Sequence, residues 1–156
     1  MRAVTFVSFL FLISMLGLST NVQVLGASEA PQAVTKEEVN RFMEEYQNQY
    51  MKMDLDAFMA LFSKEAVENR MYPYSDIRVV YGKCFDISDA LQYNLKIDSI
   101  QTYTKSAFVS GQYELIQSLK GVNKRKVFRG KIQWNLIREN GSLKIKEMNY
   151  GRDYSK

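Results

Sequence analysis

The groups able to do chemistry in this chain are carboxylates, phenols, amines and guanidinium groups, because its 156 residues contain no histidine and one cysteine, Cys84. Without imidazole there is no Ser-His or Cys-His nucleophile, no general base of that kind, and none of the commonest transition-metal ligand. A lone cysteine closes no intramolecular disulfide and builds no thiolate metal site, so no metal and no other cofactor is expected. Val80, Tyr81 and Phe85 around it imply a buried thiol. Tyr46, Tyr50, Tyr81, Phe85, Tyr93, Tyr113 and Trp134 can wall a pocket for a flat or greasy ligand, since their rings are apolar and most carry a polar tip. The same residues also suit an ordinary core. Tyr72-Pro73-Tyr74 is a rigid, extended piece flanked by rings, which suits a pocket lip, a partner-binding edge, or a loop pinned against the first helix.

The elements that must position these groups follow from periodicity. Thr35-Lys36-Glu37-Glu38 reads as a capping box, and Val39, Phe42, Met43, Tyr46, Tyr50 and Met53 recur at helical spacing behind it, giving an amphipathic helix over 35–53. Asp54 restarts the pattern as a second N-cap before Leu55, Phe58, Met59 and Phe62, so two helices meet at a sharp corner. Residues 63–74 read as irregular or briefly extended. Ser75 is expected to cap a third helix with Ile77, Val80, Tyr81, Cys84 and Phe85 on one side.

From Ala90 the period changes to two: Leu91, Tyr93, Leu95 and Ile97 share a face, and the alternation slips near Ser99-Ile100, which suggests a bulge. Ala107, Val109, Tyr113 and Leu115 mark the next strand, with Gly111 where a side chain would crowd a neighbour. Phe128, Ile132, Trp134 and Leu136 mark another, and Asn140-Gly141 is a two-residue hairpin turn into the strand of Leu143 and Ile145. Helices first and strands afterwards define an α+β domain, a curved antiparallel β-sheet packed against three N-terminal helices.

The run Asp54-Leu55-Asp56-Ala57-Phe58-Met59-Ala60-Leu61-Phe62-Ser63-Lys64-Glu65-Ala66-Val67 resembles the nuclear transport factor 2-like superfamily, known also through its SnoaL-like members. The resemblance implies a cone-like sheet with a pocket at its wide end, a scaffold that hosts isomerases, dehydratases, cyclases, epoxide hydrolases, transport factors and non-catalytic domains. Catalytic members place an aspartate as general base just after the acidic-alanine-valine entry. Here that position falls on Asn69 or Arg70, neither of which accepts a proton at neutral pH. Glu68, the nearest carboxylate, alternates to the opposite face unless a bulge turns it inward, and is the one catalytic candidate. The resemblance also implies a tyrosine from the helical layer, a role open to Tyr46 or Tyr50, and a sheet acid; Glu114 alternates away from Tyr113, and Glu147 is expected at a register change. Arg129 is out of phase for the arginine of the epoxide-hydrolase pattern. Asn69 and Tyr74, near the mouth of the implied cone, complete the candidate pocket.

Met1-Arg2 and the uncharged apolar run from Ala3 to Leu18 read as a secretory signal, with cleavage between Gly26 and Ala30. An uncleaved anchor is the rival, but the run is shorter than the ~20 apolar residues that span a bilayer. The expected organisation is a signal peptide and cleavage region over 1–30 and one domain over 31–156. The net charge of +4 is concentrated in Lys120, Lys124, Arg125, Lys126, Arg129 and Lys131. This stripe fits a solvated hairpin whose lysines discourage edge pairing better than it fits nucleic-acid binding. The sequence thus favours a secreted or periplasmic, non-catalytic protein that binds a small apolar molecule or an envelope protein, with membrane contact only through the signal segment before cleavage. A SnoaL-like isomerase, cyclase or dehydratase is the alternative, and a homodimer formed through the outer face of the sheet is the third.

Overall fold

The computed structural model describes residues 33–151; the segment expected to be a signal peptide and cleavage region, residues 1–30, lies outside the described residues. Helix α1 spans Lys36–Lys52, and the Thr35 side chain accepts from the Glu38 amide at 3.1 Å. The Glu38 carboxylate is gripped from across the fold: Arg138 donates to its two oxygens at 2.7 and 2.6 Å. That guanidinium holds the Glu38 carboxyl below its usual range. A bidentate pair between the first turn of α1 and the sheet fixes the helix at its start.

Met53 ends α1 in the left-handed conformation, and Asp54 caps α2, Leu55–Met59, by accepting from the amides of Asp56 and Ala57, both at 3.1 Å. The corner read from the sequence is therefore built by two caps back to back. Residues 63–74 are more ordered than their pattern suggests. They hold most of strand β1, Phe62–Glu68, and the two-residue β2, Tyr72–Pro73, which pairs with it. Helix α3 spans Tyr74–Asp86, and its N-cap is Pro73 rather than Ser75. The Ser75 hydroxyl lies inside the first turn and donates to Asp76.

Strands β3 (Ser88–Thr102), β4 (Ser106–Leu119), β5 (Arg125–Glu139) and β6 (Ser142–Tyr150) complete a six-stranded sheet of order β2-β1-β6-β5-β4-β3. The sheet is not wholly antiparallel, because β1 runs parallel to β6. The β3–β4 register shifts between Ile97 and Ser99, where the slipped alternation asked for a bulge. Asn140 and Gly141 turn β5 into β6 with φ of 49° and 81°, the positive pair that a type I′ turn requires. Trp134, Leu136, Ile145, Met148 and Val109 of the sheet are fully buried against Tyr46, Phe58, Met59 and Ile77 of the helices.

The basic stripe lies on the β4–β5 hairpin, and Arg129 pairs with Glu114 beside it. Among the described residues no helix is long and apolar enough to cross a membrane. Val80 departs from the face assigned to α3 and is 46% exposed. Cys84 is only half-buried.

Gly111 is where β4 lies closest to β3. A Cβ there would stand 2.5 Å from the Lys96 carbonyl oxygen, which is backbone and cannot swing aside. Gly111→Ala should cost about 1–3 kcal/mol, as overpacked sites do. The measurement is urea denaturation: a lowered midpoint at constant slope is expected, and an unchanged midpoint would mean that the strands part freely.

Candidate functional site

A cavity of about 300 Å³ opens between the helices and the concave face of the sheet. It arises because the narrow end is filled and the wide end is not. Trp134 is wholly buried there with its ring 5.6 Å from that of Tyr46, and Tyr46 in turn meets Phe58 at 5.4 Å. At the wide end α1 contributes Tyr46 and Tyr50, α3 contributes Tyr81 and Cys84, and β3 contributes Tyr93. Opposite them, β4 presents Tyr113, Leu115 and Gln117, β5 presents Phe128 and Ile132, and β6 presents Tyr150. Val80, Lys83 and Ile87 form the rim on α3.

The polar tips inside are mostly engaged. Tyr46 donates to Met148 Sδ at 3.4 Å, Tyr113 to the Gly151 carbonyl at 3.4 Å, and Tyr150 to Glu68 Oε1 at 2.6 Å. Tyr50 Oη and Cys84 Sγ lie 3.9 Å apart. Burial, first among the causes, pushes the phenols of Tyr46, Tyr50, Tyr81 and Tyr93 up and the Cys84 thiol up as well. These five wall groups are therefore uncharged at neutral pH, and the ammonium of Lys83 stands at the rim. Among the described residues no three potential acidic or thiol ligands converge on a metal position.

Glu68 faces inward, where phase counted from Asn69 would send it outward. Lys64 and Glu65 are both exposed, Ala66 is buried, and Glu68 is 2% exposed and faces inward with it. Phe62, Ala66 and Glu68 share one face by ordinary alternation, and Asn69, from which the opposite phase was counted, lies beyond the strand in a turn. Glu68 stands behind the cavity wall rather than in it, joined to it through Tyr150. Desolvation raises its pKa, against the opposing effect of hydrogen bonding from Tyr150 and Tyr81. Its Oε2 is buried without a hydrogen-bond partner.

Asn69 and Arg70 do not take the base position. Both have positive φ, 51° and 58°, and make the tight turn from β1 to β2. Asn69 is a clasp: its amide donates to the Met148 carbonyl and its Oδ1 accepts from the Tyr150 amide, each at 2.8 Å. Tyr74 is held outside the cavity, where its hydroxyl accepts from Lys64 Nζ at 2.8 Å and its ring carries the same ammonium. Phe85 lies behind the wall against Tyr50 and Phe58, and Trp134 belongs to the plug. Of the candidate pocket residues the structure brings together Tyr46, Tyr50, Tyr81, Tyr93 and Tyr113. It adds Tyr150 and Gln117, which sequence reasoning missed. Gln117 is in phase with Tyr113 and Leu115, so alternation alone could have found it.

The sign of the Glu68 shift sets a test. Its folded pKa lies above the ordinary 4.5, so the stability supplied by the neutral carboxyl is complete below that pH and is lost as pH rises through the folded value. Glu68→Gln keeps an acceptor for Tyr150 and cannot ionise. Its stability relative to the parent should therefore improve from below pH 4.5 to neutrality, read as the difference in urea midpoints. A difference constant with pH would show that burial does not govern this acid.

No protein-family model and no curated protein matches the sequence. Solved structures do match its shape. A ketosteroid isomerase-like protein from Erwinia carotovora atroseptica superposes with a TM-score of 0.63 at 16% identity, covering 78% of this chain and 100% of that one. A type 2 hexachlorocyclohexane dehydrochlorinase gives 0.59 at 10% identity over 76% and 84% of the two chains. A protein of unknown function with a cystatin-like fold from Nostoc punctiforme gives 0.62 at 13% identity over 77% and 92%. At these identities the likeness speaks for the backbone alone, and by that backbone the chain has the nuclear transport factor 2-like, SnoaL-type fold that its Asp54–Val67 run resembles.

Proposed function

We propose that this protein is an exported binding protein whose cavity takes a small, flat, largely apolar molecule. The observation that carries the reading is the cavity of about 300 Å³ with largely aromatic and aliphatic walls and one ammonium, Lys83, at its rim, of the size and character that small-molecule sites have. Rings whose polar tips are already engaged favour a ligand that gains most of its affinity from apolar contact. Leu115, half-buried in the wall, is the residue through which to test it. Leu115→Trp fills the space without adding charge. Fluorescence titration with N-phenyl-1-naphthylamine should show binding to the parent protein and a loss of about tenfold or more in the variant, since a blocked cavity forfeits that apolar contact. Equal binding by both would remove the cavity from the function. Native mass spectrometry of protein purified gently from its own compartment gives the natural ligand's mass.

A second reading is favoured by one specific observation, the buried Glu68 bonded to the cavity residue Tyr150. An acid in that position can exchange a proton with a bound molecule through the phenol, which would make the protein an enzyme of the isomerase, cyclase or dehydratase kind. If the natural ligand is converted, Glu68→Gln should slow turnover by about a hundredfold while affinity holds. Unchanged turnover would leave the binding reading alone.

Export rests on the amino-terminal run from Ala3 to Leu18 and the small residues after it. Intact-mass measurement of the protein from its native host should show a first residue between Ala27 and Ala30. A full-length chain in the membrane fraction would instead mark the segment as an anchor.

A further inference from the structure

Gln117 is the one amide in the cavity wall, and it is buried to 4% exposure. Its orientation follows from its neighbours. Ser88 Oγ lies 2.6 Å from the Cys84 carbonyl oxygen. A carbonyl can only accept, so the Ser88 proton points there and the serine oxygen turns its lone pairs to Gln117. Gln117 Nε2 donates to that oxygen at 2.8 Å and reaches Cys84 Sγ at 3.7 Å. A flipped amide would set two acceptors face to face. Both N–H groups are therefore occupied in the seam between α3 and β3, and the carbonyl oxygen is left without a partner among the described residues.

An acceptor that lines the cavity with no protein partner is left to water, and a ligand that displaces the water without donating forfeits a hydrogen bond. Among the described residues no other wall group hydrogen-bonds to it: Tyr46, Tyr113 and Tyr150 send their protons to Met148, Gly151 and Glu68, and the ammonium of Lys83 stands at the rim.

We infer that Gln117 is the specificity-determining residue of the cavity, its Oε1 accepting a hydrogen bond from a hydroxyl or N–H carried by an otherwise apolar, ring-sized ligand. This rests on the reading that the cavity binds such a molecule, and it names the substituent that the molecule must carry. The amide is locked by Ser88 and Cys84, so the acceptor is in place before the ligand arrives. Discrimination of this kind is steep, because a ligand lacking the donor leaves a buried oxygen unpaired.

The test uses three probes of one ring system: 2-naphthol, which donates; 2-methoxynaphthalene, which only accepts; and naphthalene, which does neither. Dissociation constants are read by displacement of N-phenyl-1-naphthylamine, calibrated for each protein. The parent protein should prefer 2-naphthol to 2-methoxynaphthalene by about tenfold or more, the worth of one buried hydrogen bond. Gln117→Met and Gln117→Leu should each remove that preference while naphthalene binds as before, and a folded variant that keeps it would assign the acceptor elsewhere. The absence of a preference in the parent overturns the proposal even if neither variant folds. If all three probes bind the parent equally, Gln117 does not read the ligand, although the cavity reading stands. If no probe binds a folded parent protein, both fall.

Discussion

Tyr50 touches every layer of the molecule. Its ring lies 5.3 Å from Phe58 of α2, 5.7 and 5.5 Å from Tyr81 and Phe85 of α3, and 5.0 Å from Tyr93 of β3. Most of these contacts are edge-on, the arrangement in which the positive rim of one ring meets the negative face of another. One side chain on α1 thus fixes the distance from three helices to the sheet, and the caps at Met53 and Asp54 deliver Phe58 to it. Because Tyr50 also lines the cavity, the wall is the inner surface of the core itself. The core and pocket readings of these tyrosines were posed as alternatives, yet the same rings serve as both.

The sheet decides where the core ends. Its bulge near Asp98 and the close approach at Gly111 bend β3 and β4 across the helices, and Trp134 closes the narrow end. The wide end has no comparable plug. What lies there instead is a ring of phenols whose protons point into the protein, so the space is apolar in character although many of its lining residues are polar by type. A low-dielectric space of this kind makes each remaining hydrogen-bonding group count for more.

Much of this was legible because local rules and tertiary packing agreed. Thr35, Asp54 and Asn140-Gly141 act locally, through caps and a turn whose geometry needs no distant partner, and each sits where its sequence pattern put it. The β1–β2 region was not legible for the opposite reason. Its order comes from pairing with β6, far away in the chain, and from a register irregularity that no local pattern encodes. The error at Glu68 comes from counting phase from Asn69, which lies in the β1–β2 turn; alternation from Phe62 and Ala66 turns Glu68 in. Val80 and Cys84 show a milder form, since helical phase gives a face while the open end of the cone leaves its last turn partly uncovered. Tyr150 was missed because its role depends on Asn69 clasping its amide and on Glu68 receiving its proton, and both partners lie on the other side of the sequence.

Stability does not account for the acid at position 68. An apolar residue of similar size would avoid desolvating a carboxyl, and glutamine would still accept from Tyr150. The structure instead keeps a carboxyl beside the phenols of Tyr150 and Tyr81, its Oε1 accepting from Tyr150. Asn69 holds the Tyr150 backbone in place, so the phenol that joins Glu68 to the cavity is positioned at both ends, by its amide and by its hydroxyl. A group buried at a cost and aimed precisely is the pattern that functional residues show, where foldability alone would have chosen otherwise. The two polar features that packing leaves unexplained, Glu68 behind Tyr150 and Gln117 beside Cys84, belong to different sectors of one cavity wall. A bound molecule spanning them would meet an acceptor at one end and a phenol backed by a reluctant acid at the other.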